Sequence, residues 1–150
     1  MAKGFEIKGM RELEQTMKKL EMVPQKVVTR AAKAGTSIAL KAARALAPVD
    51  SGELRDGIIM KKERRAKPAK AVYDVMMDPA KNDIFAKIHA DGETRSYYPA
   101  SQEYGFMTAD GGFVPGHHFL RNSLTENKES IEQKIVEVAG KEVDKVLKGG

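Results

Sequence analysis

A long run with helical periodicity, from Pro24 to Leu46, is stopped by Ala47-Pro48-Val49-Asp50-Ser51-Gly52-Glu53-Leu54-Arg55. No other feature constrains the fold as much. Pro48 has no N–H to continue the helix and drives Ala47 out of the α region. Asp50 with Glu53 three residues on reads as a capping box for a short helical turn, with Ser51 as the rival cap. Gly52 relieves the crowding there. Pro48, Asp50, Ser51, Gly52, Leu54 and Arg55 are therefore expected to form a structural corner between a helix and a strand-like run.

The helix before the corner is two-sided. Val27, Ala31, Ala34, Ile38, Ala42 and Leu46 recur at helical steps on one face. Lys26, Arg30, Lys33, Lys41 and Arg44 fall within roughly 80° on the other. Gly35 in mid-helix costs about 1 kcal/mol relative to Ala, which suggests a close backbone approach. Upstream, Phe5-Glu6-Ile7-Lys8 alternates like a short strand, and Met10, Leu13, Met17 and Leu20 space like a first helix.

After Gly57 the period changes to two. A strand from Ile58 and a second over Ala71–Met77 would flank a basic hairpin tip, Arg64–Lys70, with Pro68 inside it. Ile84–His89 reads as a third strand, with a short helix as the alternative, and Met107–Gly116 as a loop. Leu120, Leu124, Ile131, Ile135 and Val138 then predict one helix from Phe119 to Leu147. The expectation is a single α+β domain over 1–150: a short N-terminal strand, two helices, a small antiparallel sheet, and a long C-terminal helix packed on it.

With no Cys among 150 residues, disulfides, thiolate metal sites and thiol nucleophiles are excluded. No apolar run is long enough to span a membrane, and the N-terminus lacks a signal peptide's apolar core. Absence of Trp and an aromatic content of 6% argue against a stacking platform for single strands. His117-His118 lacks metal-ligand spacing. No phosphate-binding Gly loop, serine elbow or zinc signature is present, so neither enzyme activity nor a cofactor is expected. Formal charge is +5, from 26 Lys and Arg against 21 Asp and Glu, with a dense basic run over Lys61–Lys70.

Taken in order, Pro48-Val49-Asp50-Ser51-Gly52-Glu53-Leu54-Arg55, Tyr98-Pro99-Ala100-Ser101-Gln102-Glu103-Tyr104-Gly105 and Pro115-Gly116-His117-His118-Phe119-Leu120 resemble the minor tail component, or tail-completion, family of HK-type long-tailed siphophages. The likeness runs from Phe5 to the C-terminal helix. The family's compact Glu-x-Gly-Thr turn is replaced here by Gly105-Phe106-Met107-Thr108-Ala109-Asp110-Gly111-Gly112-Phe113.

The resemblance implies a structural virion protein at the head–tail junction or the top of the tail, built in the host cytoplasm. It would act in tail completion and head–tail joining as a ring homo-oligomer, and a monomeric state before assembly is compatible with it. Head-closure or connector proteins and tail-terminator or tail-tube proteins would be its neighbours, with no membrane involved.

Arg64, Arg65, Lys67, Glu103, Tyr104, Phe106 and Phe113 are the expected assembly contacts. Glu103 is read as structural, bonding backbone or pairing with Arg55. The basic face of the second helix is a solvated surface, a lining for non-specific contact with genomic DNA, or a subunit contact. Two other classes stay open: a small basic nucleic-acid-binding module, and a tail-assembly chaperone absent from the virion.

Overall fold

The computed structural model describes residues 9–19, 25–64, 66–93 and 95–148. The strand expected at Phe5–Lys8 lies outside them, as do Leu20, Pro24, Arg65 and the side chain of Met17. Helices α1 (Met10–Lys19), α2 (Gln25–Leu46) and α3 (Glu53–Asp56) come first. Strands β1 (Ile58–Lys62) and β2 (Tyr73–Met77) follow, then a 3-10 turn at Pro79–Lys81 and α4 (Asn82–Phe85). Next are β3 (Ala86–Ile88), β4 (Arg95–Tyr97), α5 (Tyr98–Tyr104), β5 (Gly105–Met107) and β6 (Phe113–Pro115). The chain closes with α6 (Phe119–Thr125) and α7 (Lys128–Leu147). The class is α+β, with small antiparallel sheets and a long C-terminal helix.

Two compact units form. Residues 1–38, 62–74 and 128–150 make the first, and 39–61 with 75–127 make the second.

In the first unit α7 packs antiparallel on the opening part of α2. Ile131 and Ile135 meet Gly35, while Arg30 reaches Glu142 at 2.7 Å. Val27, Ala31, Ile131, Ile135 and Ala139 are buried there. A Cβ on Gly35 would lie 2.5 Å from Ile135 Cγ1 and 2.8 Å from its Cδ1, which is the close approach expected of this glycine. Gly35→Ala should therefore lose about 1–2 kcal/mol net, although Ala is the better helix former. The denaturant midpoint at unchanged m-value reads this. Ile135→Val should cost less in the Gly35→Ala background than in the wild type, because the two sites share one space.

The buried line of α2 differs from the expected stripe. Val27, Ala31, Gly35, Ala39 and Ala43 are buried, and so is Ala47 just past the helix, whereas Ala34, Ile38 and Ala42 are half-buried and Leu46 is exposed. Strict four-residue steps wind about 40° per step around an α-helix. The seam thus follows an i+4 ridge instead of a straight face.

In the second unit Ala43, Ala47, Leu54, Ile58 and Phe119 form the core, with Leu40, Val75, Met77, Tyr98 and Leu120 against it. The corner works differently from a capping box. Gly52 stands at the N-cap of α3 with φ 86° and no side-chain cap bond. Ser51 Oγ accepts from the Glu53 N–H at 3.4 Å. Asp50 is not the cap, because the left-handed turn at Gly52 replaces the extended N-cap that a side-chain cap needs. Arg44 closes the corner by donating twice to the Ile58 carbonyl, at 2.8 and 3.2 Å.

β1 and β2 pair, flanked by Asp78 N–H to Gly57 O (2.7 Å) and Glu63 N–H to Val72 O (2.9 Å). That spacing makes them antiparallel. Ile84 and Phe85 lie in α4, so the third strand begins only at Ala86. Phe85 packs edge-on to Tyr97, with ring centroids 6.2 Å apart. The helix predicted as Phe119–Leu147 is two helices: α6 ends where Asn127 Nδ2 donates to the Ser123 carbonyl (3.0 Å), and α7 starts at Lys128. Asn is a frequent helix terminator because its amide serves freed backbone groups.

Candidate functional site

Pro99 opens α5 in its first turn, where its missing N–H costs nothing. The helix brings Glu103 inward, leaving it 5% exposed. Its carboxylate accepts the backbone N–H groups of Leu120 (2.8 Å) and Arg121 (3.1 Å). Glu103 thus satisfies two of the orphan donors at the start of α6 and sits where the helix dipole favours negative charge. His118 cannot do this: it occupies the N-cap position with φ 50° and makes no side-chain cap bond. The Glu103 carbonyl accepts from His118 N–H (3.1 Å), and the Gln102 carbonyl from His117 N–H (2.7 Å).

Two glycines face one another in this lock. Gly105 has φ 90° and ψ 179°, a conformation reserved for glycine, and a Cβ on it would strike the Val114 carbonyl oxygen. A Cβ on Gly116 would stand 2.5 Å from Gly105 N and 2.6 Å from the Glu103 carbonyl carbon. The segments around Glu103 and Gly116, separate in sequence, are therefore one knot of backbone.

The knot sets the base of the β5–β6 hairpin. Phe106 lies opposite Val114, and Met107 opposite Phe113. Neighbouring positions point to opposite faces of a strand, so both faces carry an apolar pair. Met107 (66%), Phe113 (60%) and the adjacent Tyr104 (71%) are largely exposed, and Phe106 and Val114 are exposed over about two fifths of their surface. The tip turns through Thr108 N–H to Gly112 O (2.8 Å). The Thr108 hydroxyl donates to Asp110 and, with backbone N–H groups, holds its carboxyl below the usual range.

Phe106 and Phe113 thus stand on opposite faces of one hairpin, with Tyr104 at the end of α5 just before it and Glu103 buried beside Tyr104 in that helix. The loop expected over Met107–Gly116 is instead the end of β5, a turn and β6. Sequence reasoning missed Met107, Val114 and Gly116. The signal for the first two was present: two short apolar pairs around Asp110-Gly111-Gly112 are a hairpin pattern. Glu103 does not pair with Arg55, which bonds Asp56 at 2.9 Å, because its oxygens are taken by α6. Arg64 and Lys67 are exposed in the β1–β2 connector, and Arg65 lies outside the described residues.

Of the basic face, Lys26, Lys33 and Lys41 are exposed. Arg44 serves Ile58 and Arg30 pairs with Glu142. The Arg30 hydrogen bond holds the Glu142 carboxyl below its usual range, with Lys145 adding to it. A lowered folded-state pKa means the pair stabilises above the ordinary carboxylate value and fades as pH falls through the lowered one. Among the described residues no group of three His, Asp or Glu is placed to hold a metal ion, and no helix is long and apolar enough to cross a membrane.

The distinctive surface feature among the described residues is the exposed apolar β5–β6 hairpin. The chain belongs to the HK97-gp10-like family of bacteriophage tail components: the family model, described as "Bacteriophage HK97-gp10, putative tail-component", matches residues 11–93. Neither the curated proteins nor the solved structures yielded a match. A structural role in the phage tail, in contact with other phage proteins, follows from the family.

Proposed function

We propose that this protein completes the tail and joins it to the head, as a ring of copies at the head–tail junction or the top of the tail. The observation that supports this most is the β5–β6 hairpin. A two-stranded ribbon with apolar pairs on both faces is marginal alone, and it is held out by a buried carboxylate and two interlocked glycines. A ring needs one patch on each copy to meet a different patch on the next, and such a hairpin suits that heterologous contact. Head-closure or connector proteins would border the ring above, and tail-terminator or tail-tube proteins below.

Electron microscopy of a lysate from a phage deleted for this gene tests the role. Filled heads beside complete, unattached tails are the expected result, and joined infectious particles would overturn it. A second test separates surface from fold. Phe106→Ser, Met107→Gln and Phe113→Ser together should leave stability within about 0.5 kcal/mol per site, as read by thermal unfolding. Complementation with the triple variant should nevertheless yield unjoined particles lacking the subunit. Normal incorporation of the variant into particles would remove the hairpin from the interface.

A further inference from the structure

The positive charge of this chain is concentrated in one place. Residues 61–70, Lys-Lys-Glu-Arg-Arg-Ala-Lys-Pro-Ala-Lys, hold six basic residues against one acid. That excess equals the whole formal charge of +5, and the rest of the chain is balanced. The structure ties Lys62 and residues 67–70 of this segment to the start of α2 within the first unit. Gln25 Nε2 donates to the Lys70 carbonyl (2.9 Å), and Gln25 Oε1 accepts from Ala69 N–H (2.9 Å). Lys62 Nζ reaches Thr29 Oγ1 at 3.4 Å, and Lys70 N–H bonds the Lys67 carbonyl at 3.0 Å. Residues 67–70 are thus a pinned turn. Lys62, Lys67 and Lys70 are thereby held at the start of α2, where Lys26 follows Gln25, and these four and Arg64 are all exposed.

We propose that this patch is a sequence-independent seat for the phosphate backbone of duplex DNA. Its make-up chooses this partner over an acidic protein. A protein–protein contact needs an apolar or aromatic centre, and the turn offers only Ala66, Pro68 and Ala69 between its cations. Phosphate contacts need charge and position alone, and nucleic-acid interfaces are correspondingly polar and positive. The DNA contact is thereby centred on the connector, with Lys26 the member of the α2 face at its edge, while Arg30 and Arg44 of that face are engaged within the fold. It stands apart from the joining role, since it concerns the isolated protein and a different surface.

The test is fluorescence anisotropy of the purified full chain with a labelled mixed-sequence DNA duplex across a salt series. Wild type should bind with an affinity that falls steeply with salt and is indifferent to sequence. Lys62→Gln, Arg64→Gln and Lys67→Gln together should weaken binding at least about tenfold. The same variant should flatten the log–log salt slope by about 2–3, near 0.9 for each phosphate that is no longer neutralised. Lys67→Gln alone should flatten it by about 1 with the Lys70 turn bond intact. The control removes equal charge elsewhere, at the exposed Lys41, Lys87 and Lys148, and should retain affinity and slope. Equal losses in both triple variants would overturn the patch in favour of net charge or the α2 face. Absence of salt-dependent binding by wild type, or tighter capture of polyglutamate than of duplex, would also overturn it.

Discussion

Glu103→Ala is expected to lower stability by about 2–4 kcal/mol. The carboxylate is buried and takes two α6 N–H groups, and Ala would leave both donors unmet. A hydrogen bond to a charged group contributes about 1.5–3 kcal/mol, and an unmet buried donor costs about 1–3 kcal/mol. At this chain length the loss corresponds to a fall in melting temperature of about 5–12 °C. Glu103→Gln keeps one acceptor and should lose roughly half as much, since it surrenders the charge assistance. Differential scanning calorimetry of the two variants measures both. A melting temperature for Glu103→Ala within 1–2 °C (about one measurement error) of wild type would show that water can replace the carboxylate.

Gly116→Ala should be as damaging for a different reason. Its Cβ would meet backbone atoms of Glu103 and Gly105, which cannot turn aside as a side chain can. Overpacking against a movable neighbour costs about 1–3 kcal/mol, and a rigid one sets the cost at the upper end or beyond. Gly105→Ala adds backbone strain of about 1–3 kcal/mol at φ 90°. Hydrogen exchange should show protection lost first at Thr108, whose N–H bonds Gly112 across the hairpin tip, and at Leu120 and Arg121. If Gly116→Ala left these amides protected, the two segments would not be interlocked as described. The hairpin variants of the assembly test and these glycine variants make opposite predictions: the former spare stability and lose assembly, the latter lose both.

Much of this was legible in the residues. Pro48 after an Ala-rich period reads as a helix stop because proline removes a donor and fixes φ. Gly35 reads as a close approach because glycine in a helix needs a reason. The apolar pairs around Asp110-Gly111-Gly112 carried a hairpin signal that the density of Gly and Pro obscured. The capping box at Asp50 and Glu53 failed because a left-handed Gly52 satisfies the same turn by another route.

Local period and local chemistry were enough for the α+β class, for α2 as a long helix, for its stop at the corner and for the family. Tertiary structure alone decided what Glu103 does, why Gly116 must be glycine and which basic residues remain exposed. It also decided that α6 and α7 are separate helices. Those answers depend on atoms distant in the chain: the N–H groups of α6, the carbonyl of Glu103, the Ile58 oxygen that engages Arg44. A buried polar group declares its role only through its partner, and fold geometry, not sequence spacing, supplies that partner.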